Sequence, residues 1–156
     1  MKDLVKIMND ERLLEINHIS TTAPFIVCEF GDKINNHLVI KIDRIFGTII
    51  SIICYEHNNL IEDSLNLPEP SEFDVGIGVS YFPKKDLENC GDFQLIFNEK
   101  ELDIIIDQSE EIFECYKEER VEYYINENNS LAYIRIRNLT PEEYSILQSQ
   151  KKNFSR

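Results

Sequence analysis

Four cysteines and three histidines are the side chains best suited to act as nucleophiles, metal ligands or redox centres, and their spacing argues against each role. Cys28, Cys54, Cys90 and Cys115 stand 26, 36 and 25 residues apart, without the C-x-x-C or C-x-x-C-H spacing that marks zinc, redox or haem sites. Segments such as Phe25-Ile26-Val27-Cys28 and Ile52-Ile53-Cys54 point to reduced, mostly buried thiols that behave as small hydrophobes. His18, His37 and His57 lie 19 and 20 residues apart, with no H-x-H or H-E-x-x-H pairing, and suit surface or strand-end positions. Cys54 and His57 are the one close thiol–imidazole pair, but a three-residue separation at a strand end does not bring sulfur and ring nitrogen into hydrogen-bond reach. Five glycines, with no G-x-S-x-G, G-x-G-x-x-G or G-x-x-x-x-G-K-[ST], leave no phosphate-cradling loop or nucleophile elbow. No catalytic residue, metal site or cofactor is expected, and the chain does not read as an enzyme.

Carboxylates are the abundant reactive group. Asp103 and Asp107, four residues apart on one expected strand face, could hold a divalent cation, but such a pair more often marks the solvated side of an amphipathic strand. The density of acid is more informative: residues 99–122 carry ten acidic side chains against Lys100, Lys117 and Arg120, a local net of −7. Within this run Glu110, Glu111, Glu114, Glu118 and Glu119 are interleaved with Phe113 and Tyr116, with Tyr123 close behind. Aromatic anchors among charges that steer a basic partner are the ingredients of a protein-binding surface, and those eight residues form the candidate partner-binding site. Tyr124 and Tyr133 lie near them in sequence. A solvated face that only keeps the domain soluble is the plainer alternative.

The elements that must position this run are mainly strands. Phe73, Val75, Ile77, Val79 and Tyr81 alternate with Asp74, Gly76, Gly78 and Ser80, the cleanest strand pattern in the chain. Phe93–Phe97 and Leu102–Ile106 form an expected hairpin through Asn98–Glu101, and Val121–Ile125 with Ala132–Ile136 a second one through the polar cluster Asn126–Ser130. Phe25–Phe30, His37–Ile42 and Ile45–Tyr55 are further strands; the last is apolar on both faces and belongs mid-sheet. The opening segment suits either a helix or a hairpin of Leu4–Met8 with Leu13–Ile19 turning at Asn9-Asp10, and the hairpin is preferred. Two short helices complete the set. Thr140, Pro141 and Glu143 make a capping box for a helix from Pro141 to about Lys151, packed through Tyr144 and Leu147. Ser109–Glu119 reads as the other, with Ile112, Phe113 and Tyr116 on one face and an acidic first turn. The fold class is therefore α+β: a predominantly antiparallel, curved sheet with a short C-terminal helix and one other short helix.

The 156 residues, 42% of them hydrophobic and 29% charged, suffice for one folded domain spanning 1–156 with a long loop near 58–72. A net charge of −13 disfavours nucleic acid and anionic membranes and favours a basic protein partner. Met1-Lys2-Asp3 opens a charged segment unlike a secretory signal, and the longest apolar run, Ile45–Cys54, is too short to span a bilayer, so a cytoplasmic location is expected. In its acidic run Glu110-Glu111-Ile112-Phe113-Glu114 and its overall balance, the chain resembles the bacterial immunity proteins of contact-dependent inhibition and related systems. The resemblance is one of composition, without a shared motif, and carries over no residue roles. It implies an inhibitor that binds one cognate toxin, often a basic nuclease domain, and blocks its active site. A non-catalytic structural or regulatory interaction module, and an enzyme of an unrecognised family, are the competing classes.

Overall fold

Alternating β-branched and polar residues, punctuated by Asn, Asp and Gly, fold the first part of the chain by successive hairpins. β1 (Val5–Ile7) pairs with β2 (Arg12–Asn17), and β3 (Phe25–Phe30), β4 (Asn36–Asp43) and β5 (Ile49–His57) follow. A computed structural model describes residues 4–18, 24–45, 47–57, 60–68, 81–82 and 88–154, and the chain forms two units, Met1–His57 with Gly76–Asp92 and Asn58–Val75 with Phe93–Arg156. The expected strand at Phe73–Tyr81 lies, except for Tyr81, outside the described residues.

In the first unit the strands form one antiparallel sheet in the order β1-β2-β5-β4-β3. The opening segment is thus a hairpin, and the doubly apolar strand takes the centre. Register aligns Leu14, Cys54, Leu38 and Phe30 in one rank and Ile16, Ile52, Ile40 and Cys28 in the next, all essentially without exposure. Each such aliphatic side chain contributes roughly 1.5–3 kcal/mol by leaving water, and a one-residue slip would expose the whole set. The expected strand start at Ile45 is corrected to Ile49. Gly47, with φ of 71°, donates its N–H to the Asp43 carbonyl (2.8 Å) and closes a tight turn that leaves Ile45 67% exposed. Between β3 and β4, Asp32 Oδ1 accepts the N–H groups of Ile34 (2.8 Å), Asn35 (2.7 Å) and Asn36 (3.2 Å). These bonds favour the ionised form and lower the Asp32 carboxyl to about 2.

The second unit holds a six-stranded sheet, β6 (Ile61–Glu62), β7 (Gln94–Phe97), β8 (Leu102–Ile105), β11 (Leu131–Ile136), β10 (Val121–Asn126) and β9 (Ile112–Glu118), in that spatial order. Its pairs are antiparallel except β6 with β7, so part of the stretch expected as loop, 58–72, contributes a parallel edge. Both expected hairpins form. Asn98 Oδ1 accepts the N–H groups of Lys100 (2.8 Å) and Glu101 (3.1 Å), and Asn126 Oδ1 those of Asn128 (3.0 Å) and Ser130 (3.1 Å). The capping box forms as well: Thr140 Oγ1 accepts the Glu143 N–H (3.1 Å) and Glu143 Oε1 accepts the Thr140 N–H (2.9 Å) at the start of α1 (Pro141–Phe154). Leu147 is buried, and the Tyr144 ring lies 5.9 Å from that of Phe97.

The helix expected over 109–119 is corrected: Ile112–Glu118 is strand β9. Ile112, Phe113 and Tyr116 satisfy a helical stripe, but they are also strong strand formers, and β10 offers them a complete ladder. Among the described residues the fold therefore has one helix, at the C-terminus, and is otherwise mostly sheet, α+β in class.

Candidate functional site

Strand β9 forms one edge of the six-stranded sheet, paired among the described residues only with β10. A two-residue turn, Glu119-Arg120, joins the two strands, with Glu119 in the left-handed region at φ of 53°. Arg120 is drawn away from the acidic run, because its Nη1 and Nη2 donate to Glu143 Oε1 (2.9 Å) and Oε2 (2.8 Å) at the helix cap. Five glutamates and Lys117 remain as the charged side chains of 110–119.

The eight candidate residues divide by exposure. Glu110, Glu111, Phe113, Glu118 and Glu119 are exposed and Glu114 is half-buried. Tyr116 and Tyr123 are buried, facing one another in register and continuing through Ile134, Ile104 and Leu95 into the apolar core. Burial, followed by the charge of Glu118, holds the Tyr123 hydroxyl well above its ordinary pKa. The register shifts where Ile125 opposes Glu114 and Asn126 opposes Ile112. Phe113 falls in this bulge, outside the ladder, and its ring is 64% exposed while Ile112 packs on the core. The aromatic offered to solvent beside the acids is therefore Phe113.

The opposite face of the same sheet carries charge inward. Across β9, β10, β11 and β8, register places Lys117, Glu122, Arg135 and Asp103 in one rank of alternating sign. Arg135 Nε donates to Asp103 Oδ1 (2.7 Å), and its Nη2 donates to Asp103 Oδ2 (3.0 Å) and the Leu65 carbonyl (2.9 Å). Arg137 Nε donates to Glu122 Oε2 (2.6 Å), and Tyr124 Oη donates to Glu122 Oε1 (2.7 Å) and the Pro68 carbonyl (3.3 Å). Leu65 and Leu67 pack over the adjoining rank of Cys115, Tyr124, Tyr133 and Ile105, so the segment 63–68 straps this face. Burial alone would lower the Arg135 pKa, but the hydrogen bonds and charge of Asp103 outweigh it and hold the guanidinium above its ordinary value. Burial pushes the Asp103 carboxyl up and the hydrogen bonds and charge of Arg135 pull part of this back, leaving it above its ordinary value.

Asp103 is thus corrected from a solvated position to a buried one, 1% exposed, because a strap and a guanidinium cover it. Asp107 is not brought beside it as a metal pair. It lies beyond the end of β8, where Oδ1 accepts from the Ser109 N–H (2.9 Å) and hydroxyl (2.6 Å) and Oδ2 from Asn126 Nδ2 (3.3 Å). These bonds lower its pKa. Of the ten acids in 99–122, Asp103 and Glu122 are consumed internally and Glu101 faces Arg137 (3.5 Å), so the outward charge is concentrated on 110–119.

No protein-family model and no curated protein sequence matches this chain.

The remaining candidates fall in the first unit. His37 Nε2 lies 3.1 Å from Glu29 Oε1 and its ring stacks on Tyr55 at 5.4 Å, beside a surface hollow of about 300 Å³ lined by Lys33, Ile34 and Asn36. Cys54 is buried, its thiol donates to the Tyr55 carbonyl (3.4 Å), and burial raises its pKa; the His57 side chain lies outside the described residues. All four cysteines are thiols, three buried and Cys90 half-buried. Among the described residues no helix is long and apolar enough to cross a membrane. Sequence reasoning missed Glu122, Arg135 and Arg137 as a network. Opposite charges at mid-strand polar positions were the signal, legible only once β8, β11 and β10 are known to be neighbours.

Proposed function

We propose that this protein is an acidic, non-catalytic inhibitor that captures a basic protein through the β9 edge of its second unit, with a bacterial toxin domain as the partner class its composition implies. One observation carries the reading: an edge strand whose neighbouring glutamates and bulged Phe113 are exposed together, on a sheet whose other face is covered by a strap and holds an internal ion network. The apolar ring supplies a desolvated contact, and Glu110, Glu111, Glu118 and Glu119 supply the field that draws a cationic groove toward it. Carboxylates placed against a phosphate-binding groove would compete with its substrate by charge and by bulk.

Neither histidine nor cysteine chemistry is needed for this action, and the inward carboxylates serve the scaffold. Inhibition is the test. A basic protein captured on the tagged chain from its host's lysate is purified and assayed, for nuclease activity first, with and without one equivalent of this protein. Stoichiometric loss of activity supports the inhibitor. Full activity within a stable complex contradicts it and leaves an interaction module.

A further inference from the structure

Cys28, on β3 of the first unit, has no solvent exposure, and Cys90 is half-buried beside the same strand. Two backbone hydrogen bonds hold the segment around Cys90 against β3: the Cys90 N–H donates to the Glu29 carbonyl and the Gly31 N–H to the Gly91 carbonyl, both at 2.8 Å. Gly91, at φ of 114°, takes a backbone conformation that suits glycine and lets the chain turn there. The two thiols hydrogen-bond to one another, and this contact, then burial, then the like charge of an ionised Cys90, raises the Cys28 pKa far above its ordinary value. Cys54 and Cys115 differ, since their thiols point to the carbonyls of Tyr55 and Tyr116.

We propose that Cys28 and Cys90 form a reversible dithiol–disulfide pair that reacts with small disulfides of the glutathione class. Cys90, the accessible member, attacks as thiolate; its sulfur bonds to one sulfur of the small disulfide, the original S–S bond breaks, and one small thiolate leaves. Cys28 then gives up its proton and attacks the Cys90 sulfur, forming the internal disulfide and expelling the second small thiolate. The two protons lost by the protein thiols are taken up by the two leaving thiolates. The protein pair is oxidised by two electrons and the small disulfide reduced by two. Conversion of the Cys90 thiolate into the neutral mixed disulfide removes the negative charge that opposes ionisation of Cys28, so the mixed disulfide favours its own resolution. The bond fastens the segment 88–92 to β3 and closes a loop of about sixty residues, which restricts the unfolded chain.

The test is incubation of the reduced chain in glutathione buffers of graded redox ratio, acid quench, alkylation under denaturing conditions and mass spectrometry of intact protein and peptides. The expected result is a species carrying two alkyl groups instead of four and, those groups apart, about 2 Da lighter, containing one Cys28–Cys90 cross-linked peptide, with Cys54 and Cys115 alkylated and full return to four thiols on reduction. Its thermal midpoint should rise by several degrees over the reduced form. Cys90→Ser should abolish the light species, while a chain with both Cys54→Ala and Cys115→Ala should retain it. Four alkylated cysteines under oxidising buffer, a glutathione adduct at Cys90 that never resolves, or a cross-link between other cysteines would each overturn the assignment.

Discussion

Removing one member of the Asp103–Arg135 pair should destabilise the second unit severely, whereas replacing both should not. Asp103→Leu leaves the guanidinium, on a side chain only 4% exposed, with the Leu65 carbonyl and a distant Glu101 oxygen at 3.8 Å. Two charge-assisted hydrogen bonds are lost at about 1.5–3 kcal/mol each, in agreement with the roughly 3–5 kcal/mol typical of a broken buried pair. Arg135→Met strands a carboxylate that is 1% exposed and should cost a similar amount. In the double variant two apolar side chains sit beside Ile96 and the Tyr124 rank; the residual cost is the unpaired Leu65 carbonyl, about 1 kcal/mol. The cycle therefore gives a coupling energy above about 3 kcal/mol. Urea unfolding at pH 7 followed by tyrosine emission reads this directly: the chain has no tryptophan, and five of its seven tyrosines (116, 123, 124, 133 and 144) lie in the second unit. With a slope of about 2 kcal/mol/M, each single variant should lower the midpoint by about 1.5–2.5 M. Single variants costing under about 1 kcal/mol, or a double variant as unstable as their sum, would refute a buried, ionic pair.

Three further outcomes follow from the same geometry. Glu119 holds a left-handed conformation at φ of 53°, so Glu119→Gly should stabilise by up to about 1 kcal/mol and Glu119→Val destabilise by more than that, read from thermal midpoints. The Glu62 carboxylate accepts from the Tyr144 hydroxyl, Lys151 Nζ (3.1 Å) and Gln148 Nε2 (3.5 Å), holding α1 against β6; the Tyr144 bond, then the Lys151 bond, lowers its pKa. A folded pKa below the unfolded one contributes stability that is present above the unfolded value of about 4.3 and lost as pH falls through the folded one; amide exchange in α1 should quicken over that acid window in wild type, and Glu62→Gln should show no such step. The same Glu62 contact raises Tyr144 to about 12, so its share of the docking persists below the unfolded value of about 10 and is lost as pH rises through about 12, a step that Tyr144→Phe removes from the alkaline exchange profile.

Much of the strand set is legible because hairpins are written locally. Asn98, Asn126 and Asp10 each place a side-chain oxygen on the next N–H groups of the turn, and the flanking alternation fixes which residues face inward. The capping box at Thr140 and Glu143 is equally local, and Glu143 serves twice, as its carboxylate also receives Arg120. The segment 109–119 misleads because Ile112, Phe113 and Tyr116 satisfy both periods, and the choice is made by β10, a partner whose position the segment itself does not encode. Asp103 misleads for a related reason. A carboxylate on the polar side of an alternating strand is normally solvated, and only the order β8-β11-β10 and the strap at 63–68 convert it into one end of a buried ion rank. At the candidate site the acids and Phe113 are legible as surface residues, whereas Tyr116 and Tyr123, chosen as aromatic anchors, belong to the wall of the core.

The central claim is that the β9 edge captures a basic partner. Its most direct test is a quantitative pull-down from host lysate at two salt concentrations, comparing wild type with Glu110→Lys/Glu111→Lys/Glu114→Lys and with Phe113→Ser. One stoichiometric basic protein should be retained by wild type, weakened by salt, and lost by orders of magnitude from the charge-reversal variant, with thermal midpoints nearly unchanged. Equal retention of that protein by all three chains, or no protein that distinguishes them, would contradict it.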